Sequence, residues 1–165
     1  MSPAMKQRTG PKLLPRLVLA VILLGVPALA DAPKNQYDQF DQDSGTIKDT
    51  FTKLEWDRRA IFKSDYGGAS GNCALLTSLQ ASGRLPSVKE LLTIVDEDPH
   101  LEYEFGKNVP KMIDGLAFAD APVDLAYWTS TPASPTGDTL WTVSFKTGLM
   151  APQLKTAVAY ARCVR

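Results

Sequence analysis

The chain has 165 residues, with 18 basic and 18 acidic side chains and a formal net charge of zero. This length fits one domain built around a single core. Internal repeats and low-complexity blocks are absent from the sequence.

Residues 1–30 have the pattern of a secretory signal peptide. The apolar segment 17–26 is followed by Pro27 and by small residues at positions 28 and 30, as at a cleavage site. It is preceded by a basic region without acidic residues, which contains Lys6, Arg8, Lys12 and Arg16. The alternative is an uncleaved anchor, but the apolar run is short against the roughly 20 residues of a membrane span. We therefore expect export, with cleavage after Ala30.

Removal of this leader would leave 135 residues with 14 basic and 18 acidic side chains, a net charge of about −4. A mildly acidic surface argues against general binding to nucleic acid or to anionic membranes, because both require clustered basic residues. We expect a periplasmic, extracellular or surface location, with no membrane span once the leader is removed.

Residues 31–44 are polar and are interpreted as a flexible lead-in to a domain at 45–165. Asp41, Asp43 and Gly45 resemble the start of a calcium loop. Thr52, however, stands at the twelfth position, where such a loop needs a glutamate. The Asp-Ser-Gly turn chemistry is the better interpretation, and no metal is predicted here.

The first predicted elements of the domain are β structure at 46–56, with a turn near 49–53. The glycine-rich segment 65–71 is predicted to be a loop, because its residues tolerate unusual backbone angles. A first helix should begin after Asn72, which can cap it, and end at the Ser82–Gly83 pair.

The segment 84–96 carries the strongest local signal in the chain. Pro86 keeps the backbone extended, and Ser87 followed by Glu90 forms a capping box at the start of a second helix. The apolar stripe predicted for this helix consists of Val88, Leu91, Leu92 and Val95.

The segment 97–123 is predicted to be long and irregular, because prolines and glycines interrupt it; such loops often carry function. Strand signals resume further on. They predict strands at 127–130, 140–145 and 158–164, with turns at 132–138 and 146–148.

Cys73, expected at the start of the first helix, and Cys163, on the last strand, are the two cysteines of the sequence. In an exported protein two cysteines most often bond to each other. The alternative, a catalytic thiol with His100 as its base, requires a free thiol in an oxidising compartment. Two cysteines and one histidine also fall short of a closed zinc site.

Several sequence blocks occur together in the order and spacing of one known domain. The chain resembles the Lcl C-terminal domain family over residues 45–165, although the family usually has a glycine where Lys53 stands. The resemblance implies an α+β, C-type-lectin-like fold, with two helices packed on a twisted, mostly antiparallel sheet whose N- and C-terminal strands are adjacent. It also implies a bond between Cys73 and Cys163. The blocks are Gly45–Asp49, Leu54–Trp56, Arg84–Leu91, Tyr127–Thr131, Trp141–Phe145 and Arg162–Arg165.

Calcium-dependent lectins of this fold use a Glu-Pro-Asn-type triplet and a Trp-Asn-Asp block, which this sequence lacks. No metal or other cofactor is therefore predicted. Trp56, Trp128 and Trp141 are interpreted as core residues, with stacking on a sugar ring as the alternative. The loops that this fold usually presents to ligands contain the predicted binding residues Asp120, Asp124, Thr136 and Asp138.

Three functions remain open from the sequence. The favoured one is an exported binding or adhesion module, with no catalytic residues, that recognises a glycan or a surface protein through its long loops. The second is an enzyme on a scaffold like that of the formylglycine-generating enzymes, which rely on active-site cysteines. The third is a structural component of the cell envelope.

Overall fold

A computed structural model gives the fold of the chain. The parts of the chain that the structure describes are Pro33 and residues 35–38, 45–58, 62–104, 106–118 and 121–165. The predicted signal peptide, Asp41, Asp43 and Asp120 lie outside these described residues.

Short strands dominate the described residues, and two α-helices accompany them. The elements are β1 Thr46–Lys48, β2 Glu55–Asp57, β3 Phe62–Ser64, α1 Tyr66–Ala74, α2 Val88–Leu92, β4 His100–Glu104, β5 Lys107–Lys111, β6 Tyr127–Pro132, β7 Thr139–Val143, β8 Met150–Leu154 and β9 Ala159–Ala161. A 3₁₀ turn at Thr77–Leu79 follows α1. The fold is therefore α+β, as predicted.

Five strands form the main sheet in the order β3-β9-β6-β7-β8, and all neighbours are antiparallel except β6 and β9. Helix α1 packs on β3 and β9, and α2 packs on β6 and β7. Adjacent residues of β6 point to opposite faces of the sheet. Tyr127 accordingly packs in one apolar cluster with Leu91 and Phe118, whereas Trp128 packs in a second with Cys73 and Leu79.

Helix α2 begins at the predicted capping box. The Glu90 amide donates to the Ser87 side chain at 3.2 Å, and the Ser87 amide donates to the Glu90 carboxylate at 2.7 Å. The predicted apolar stripe is wrong in part, because Leu92 is 36% exposed and Ile94 is buried. The α-helix ends at Leu92, so helical spacing no longer decides which later side chains face the core.

The predicted loop at 65–71 is wrong, since helix α1 occupies this segment. The Asp65 side chain accepts a hydrogen bond from the Gly68 amide at 2.8 Å and caps the helix, whose buried face carries Ala69 and Cys73. A Cβ at Gly68 would lie 3.0 Å from the Ser64 hydroxyl oxygen, so glycine allows the close approach of α1 to β3. Cys73 consequently stands near the end of the first helix, not at its start.

The segment 97–123 contains an antiparallel hairpin, β4–β5, that sequence periodicity does not predict. Charged side chains occupy most of its inward face: Lys111 is 2% exposed and lies 2.6 Å from Glu102 and 2.5 Å from Glu104, while Val109 packs against the core. These ion pairs replace the apolar alternation that normally reveals a strand. The turn between β1 and β2 and strands β6 and β7 were predicted, whereas β3 and β8 were missed.

Cys73 and Cys163 form a disulfide, with 5.3 Å between their Cα atoms and both side chains fully buried. The predicted bridge is confirmed. It joins the end of α1 to the tail of the chain across a sequence separation of 90 residues.

The C-terminal tail, residues 162–165, makes contacts with widely separated parts of the chain. Val164 exchanges two backbone hydrogen bonds with Arg84, at 2.9 and 3.0 Å. Arg165 exchanges two backbone bonds with Glu55, and its guanidinium also pairs with the Glu55 carboxylate. The tail thus lies between β2 and the residues that lead into α2.

Arg162 is fully buried in this tail. Its Nη1 atom donates to the carbonyl oxygens of Asp57 and Arg58, and its guanidinium lies 4.7 Å from the centroid of the Phe118 ring. Burial lowers the pKa of this guanidinium, although nearby Tyr127 and Asp57 oppose the shift. Arg162 therefore fixes the tail against both β2 and the core.

Among the described residues, no helix combines the length and the apolar character needed to cross a membrane.

Replacing both bridge residues in a Cys73→Ala/Cys163→Ala variant should lower the free energy of unfolding by about 4 to 5 kcal/mol, an upper figure from loop entropy. Urea denaturation of the oxidised wild type and the variant measures the difference. Reductant should destabilise the wild type and leave the variant unchanged; a loss below about 1 kcal/mol would show that the bridge contributes little to stability.

The lowered pKa of Glu90 predicts that the stability of the fold depends on pH. Hydrogen bonds from Arg84, supported by those with Ser87, lower its pKa to about 2, from an ordinary value of about 4.3. Because the folded pKa is depressed, the carboxylate stabilises the fold above the ordinary pKa, and this contribution is lost as the pH falls toward 2. The destabilisation caused by Glu90→Gln should therefore be largest above pH 5 and shrink toward pH 2.

Urea denaturation of the wild type and Glu90→Gln at several pH values tests this expectation. Arg84→Met is the matched background, because it removes the main cause of the lowered Glu90 pKa. In this background the destabilisation caused by Glu90→Gln should depend little on pH. A Glu90→Gln effect of constant size from pH 5 to pH 2 would show that the ion pair does not stabilise the fold.

Candidate functional site

A pocket of about 460 Å³ opens where three separate segments of the described chain meet. They are the N-terminal residues before β1, the turn between β1 and β2, and the chain that follows α2. The lining residues are Pro33, Gln36, Asp49, Phe51, Thr52, Thr93, Val95, Asp96 and Glu97.

The turn between β1 and β2 is organised by Asp49, which is fully buried. One oxygen of its carboxylate accepts hydrogen bonds from the amides of Phe51 and Thr52, at 2.8 and 3.0 Å. Lys53 completes the turn with a φ of 64°, in the left-handed region that favours glycine. The turn leaves the side chain of Phe51 62% exposed at the pocket.

Gln36 connects the other two segments. Its side-chain amide donates to the Thr93 carbonyl at 3.0 Å and to the other oxygen of Asp49 at 3.2 Å, and the residue is only 6% exposed. The next residue, Tyr37, packs edge to face on Phe118, with ring centroids 5.4 Å apart. Residues 36 and 37 are therefore anchored to the domain, although their polar neighbours suggested a flexible lead-in.

The wall after α2 contains Asp96, which is 8% exposed and donates its amide to the Met112 carbonyl. Its carboxylate lies 3.8 Å from Nδ1 of His100, a pair that is ionic when the histidine is protonated. Nε2 of His100 lies 3.2 Å from Glu102, which pairs in turn with the buried Lys111. The pocket wall is thus continuous with the charged face of the β4–β5 hairpin.

The pocket combines negative charge with an apolar surface. Asp49, Asp96 and Glu97 line it, and no lysine or arginine is among its described lining residues. Phe51, Val95 and Pro33 supply apolar area. Such a pocket favours ligands that donate hydrogen bonds or carry positive charge, and it disfavours anions.

Within the described ranges, no three histidine, cysteine, aspartate or glutamate side chains are grouped so that they could hold a metal ion.

None of the described predicted binding residues lines this pocket, and they lie at two separate places in the fold. Asp124, before β6, accepts a hydrogen bond from the Tyr160 hydroxyl at 2.9 Å and lies 4.0 Å from Lys63. Thr136 and Asp138 lie in the turn after β6. Strand β6 is about 17 Å long by strand geometry, and it separates this turn from Asp124. Thr136 and Asp138 therefore share one turn, Asp124 lies at the opposite end of β6, and Asp120 lies outside the described residues.

Two of the three tryptophans are core residues, as predicted. Trp56 and Trp128 are fully buried, and the indole N–H of Trp128 donates to the Ser64 carbonyl at 3.0 Å. The prediction is wrong for Trp141, which is only half-buried. It lies opposite Pro152 on the β7–β8 pair at the edge of the main sheet, where a side chain has fewer neighbours.

Sequence reasoning found none of the pocket residues as binding residues. The turn at 49–53 was visible locally, but the contact of Gln36 with Thr93 spans 57 positions of sequence. The one available signal was an aspartate in a turn followed by Phe51, a large apolar residue in a polar stretch.

Comparison with known proteins identifies the domain. The sequence model of the Lcl C-terminal domain family matches residues 45–165. A search of the curated proteins found no match.

Asp49→Ala should lower the free energy of unfolding by about 2 kcal/mol, because it removes the carboxylate that accepts hydrogen bonds from the buried Gln36 side chain and from the partly buried amides of Phe51 and Thr52. Chemical denaturation measures the change. Asp38→Ala is the control, since Asp38 is exposed and its substitution should cost less than about 0.5 kcal/mol. Equal stability of the two variants would show that Asp49 does not organise the turn.

Proposed function

The chain belongs to the Lcl C-terminal domain family, and from that premise we propose that it is an exported binding module of the adhesion type. In this proposal the leader directs the protein to the periplasm or the cell surface, where it recognises a glycan or a surface protein. The disulfide supports an oxidising location, since such bonds persist mainly outside the cytosol.

The proposal includes a C-type-lectin-like architecture. Two features support it: helices α1 and α2 pack on a mostly antiparallel sheet, and the early strand β2 is bonded to the C-terminal tail. The backbone bonds between Glu55 and Arg165 bring the two ends of the domain side by side, as this fold requires.

The observation that carries the binding function is the pocket beside Phe51. Its volume of about 460 Å³ lies within the usual range of small-ligand sites, about 300 to 1,000 Å³. The exposed carboxylate of Glu97 and the threonine hydroxyls can bind the hydroxyl groups of a sugar, and the exposed phenyl ring can cover the apolar face of a sugar ring. A glycan is therefore the favoured ligand.

A surface protein is the second candidate ligand, because the outward face of the β4–β5 hairpin is apolar. Leu101 is 65% exposed and Tyr103 is 76% exposed, and their alternating positions place them on the same face of β4. Both residues lie in the segment 97–123, the long segment in which the sequence analysis expects function.

The enzyme alternative depended on a free thiol, and both cysteines of the sequence are joined to each other. Titration of native protein should find no free thiol per chain, and two only after reduction and unfolding. Two reactive thiols in the native protein would favour the enzyme on a formylglycine-generating-enzyme-like scaffold.

A screen of the exported protein against glycans and envelope or host surface proteins tests the binding function. We expect saturable binding to at least one ligand, unchanged by a chelator and weakened by Phe51→Ala if the ligand is a glycan. For a glycan ligand, Tyr103→Ala is the matched control, since it removes an exposed aromatic residue outside the pocket. For a surface protein bound at the β4–β5 hairpin, Tyr103→Ala should weaken binding and Phe51→Ala becomes the control. Absence of any saturable binding would contradict the proposal and favour a structural envelope role.

A further inference from the structure

The pocket beside Phe51 has a composition that selects among ligands by charge. We propose that it binds a group carrying a protonated amine on a body with an apolar face, with an amino sugar as the expected source. This inference rests on the proposed binding function and specifies the ligand of that same pocket.

The fold holds the polar side chains of the pocket in place, so the pocket differs from a chance cluster of acidic residues on the surface. Asp49, Gln36 and Asp96 all line it, and each is more than nine-tenths buried. Asp49 and Gln36 hold each other at 3.2 Å, and Gln36 also bonds to the backbone of Thr93. The polar groups are therefore positioned by the fold before any ligand arrives, which reduces the entropy cost of binding.

The charges in and around the pocket indicate that the ligand is positively charged. Three of its nine lining residues are carboxylates and none is a lysine or arginine; His100, which lies 3.8 Å from Asp96, is charged only when protonated. Glu97 is exposed at the pocket and adds a carboxylate accessible to solvent. An ammonium group gains from this field, whereas a sulfate or uronate group is repelled by it.

The apolar part of the lining gives the shape of the ligand. Phe51 exposes 62% of its surface beside Val95 and Pro33, so one side of the ligand meets hydrocarbon while the other meets carboxylates. A hexosamine ring has this character, since it carries one apolar face, several hydroxyl donors and an amine. A simple inorganic cation has no apolar surface to bury against Phe51, Val95 and Pro33.

Calorimetric titration of the mature protein with four probes tests the inference. The probes are a fully deacetylated glucosamine hexamer, its N-acetylated counterpart, heparin and spermidine. We expect the deacetylated hexamer to bind about tenfold more tightly than the acetylated one, with an affinity that falls as salt is added. Heparin should not bind in the pocket.

Two substitutions that each remove one negative charge test whether the amine binds in the pocket. Glu97→Gln removes a pocket carboxylate and should weaken binding of the deacetylated hexamer several-fold, whereas Asp98→Asn removes the neighbouring exposed carboxylate outside the lining and should have little effect. His100 is the only histidine of the sequence and lies 3.8 Å from Asp96. Its ring signals in NMR spectra of untagged protein should therefore shift when the pocket is occupied.

The outcomes separate this inference from the proposed function. Equal binding of the acetylated and deacetylated hexamers, or a preference for heparin, would overturn the amine specificity and leave glycan binding intact. Binding of spermidine alone, with the His100 shift and the Glu97 dependence, would support the amine but assign a source other than a sugar. If no probe shifts His100, the pocket assignment is overturned even if the protein binds a ligand through another surface.

Discussion

The fold depends on the way its last four residues are held. Cys163 is bonded covalently to α1, Val164 exchanges backbone hydrogen bonds with Arg84, and Arg165 does the same with Glu55. Arg162 lies fully buried between β2 and Phe118. A chain terminus normally frays, but here it closes the structure, because both apolar clusters contain a residue of this tail. Helix α1, β2 and the lead-in to α2 are positioned against one another by this single segment.

The blocks that reveal the family are the blocks that build this closure. The tail 162–165 bonds to the start of the block at 84–91, and that block bonds in turn to the block at 127–131 through Ser130 and the Pro86 carbonyl. The pocket is built largely from residues between or before these blocks, such as Gln36, Phe51 and Glu97. Membership of the family therefore identifies the scaffold, whereas most of the residues that line the pocket, apart from Asp49, lie outside the recognisable blocks.

Local signals in the sequence predicted the parts of the fold that local chemistry decides. The capping box of Ser87 and Glu90 and the turn at Asp49 depend on neighbours within four residues, and both appear in the structure. Helix α1 was missed because its three glycines have low helix propensity, although Gly68 allows the close approach of the helix to Ser64 of β3. The β4–β5 hairpin was missed because Lys111 and its glutamates occupy its inner face. The pocket was beyond single-sequence reasoning, since Gln36 and Thr93 meet only in the folded chain.

Native-state hydrogen exchange tests most directly whether the tail closes the structure. The amides of Val164 and Arg165 are bonded to Arg84 and Glu55, so they should exchange only through global unfolding, with the same opening free energy as the amide of Val143 in the sheet. Fast exchange at Val164 and Arg165, beside slow exchange at Val143, would show that the terminus frays independently. That result would contradict the closure of the fold by its C-terminal tail.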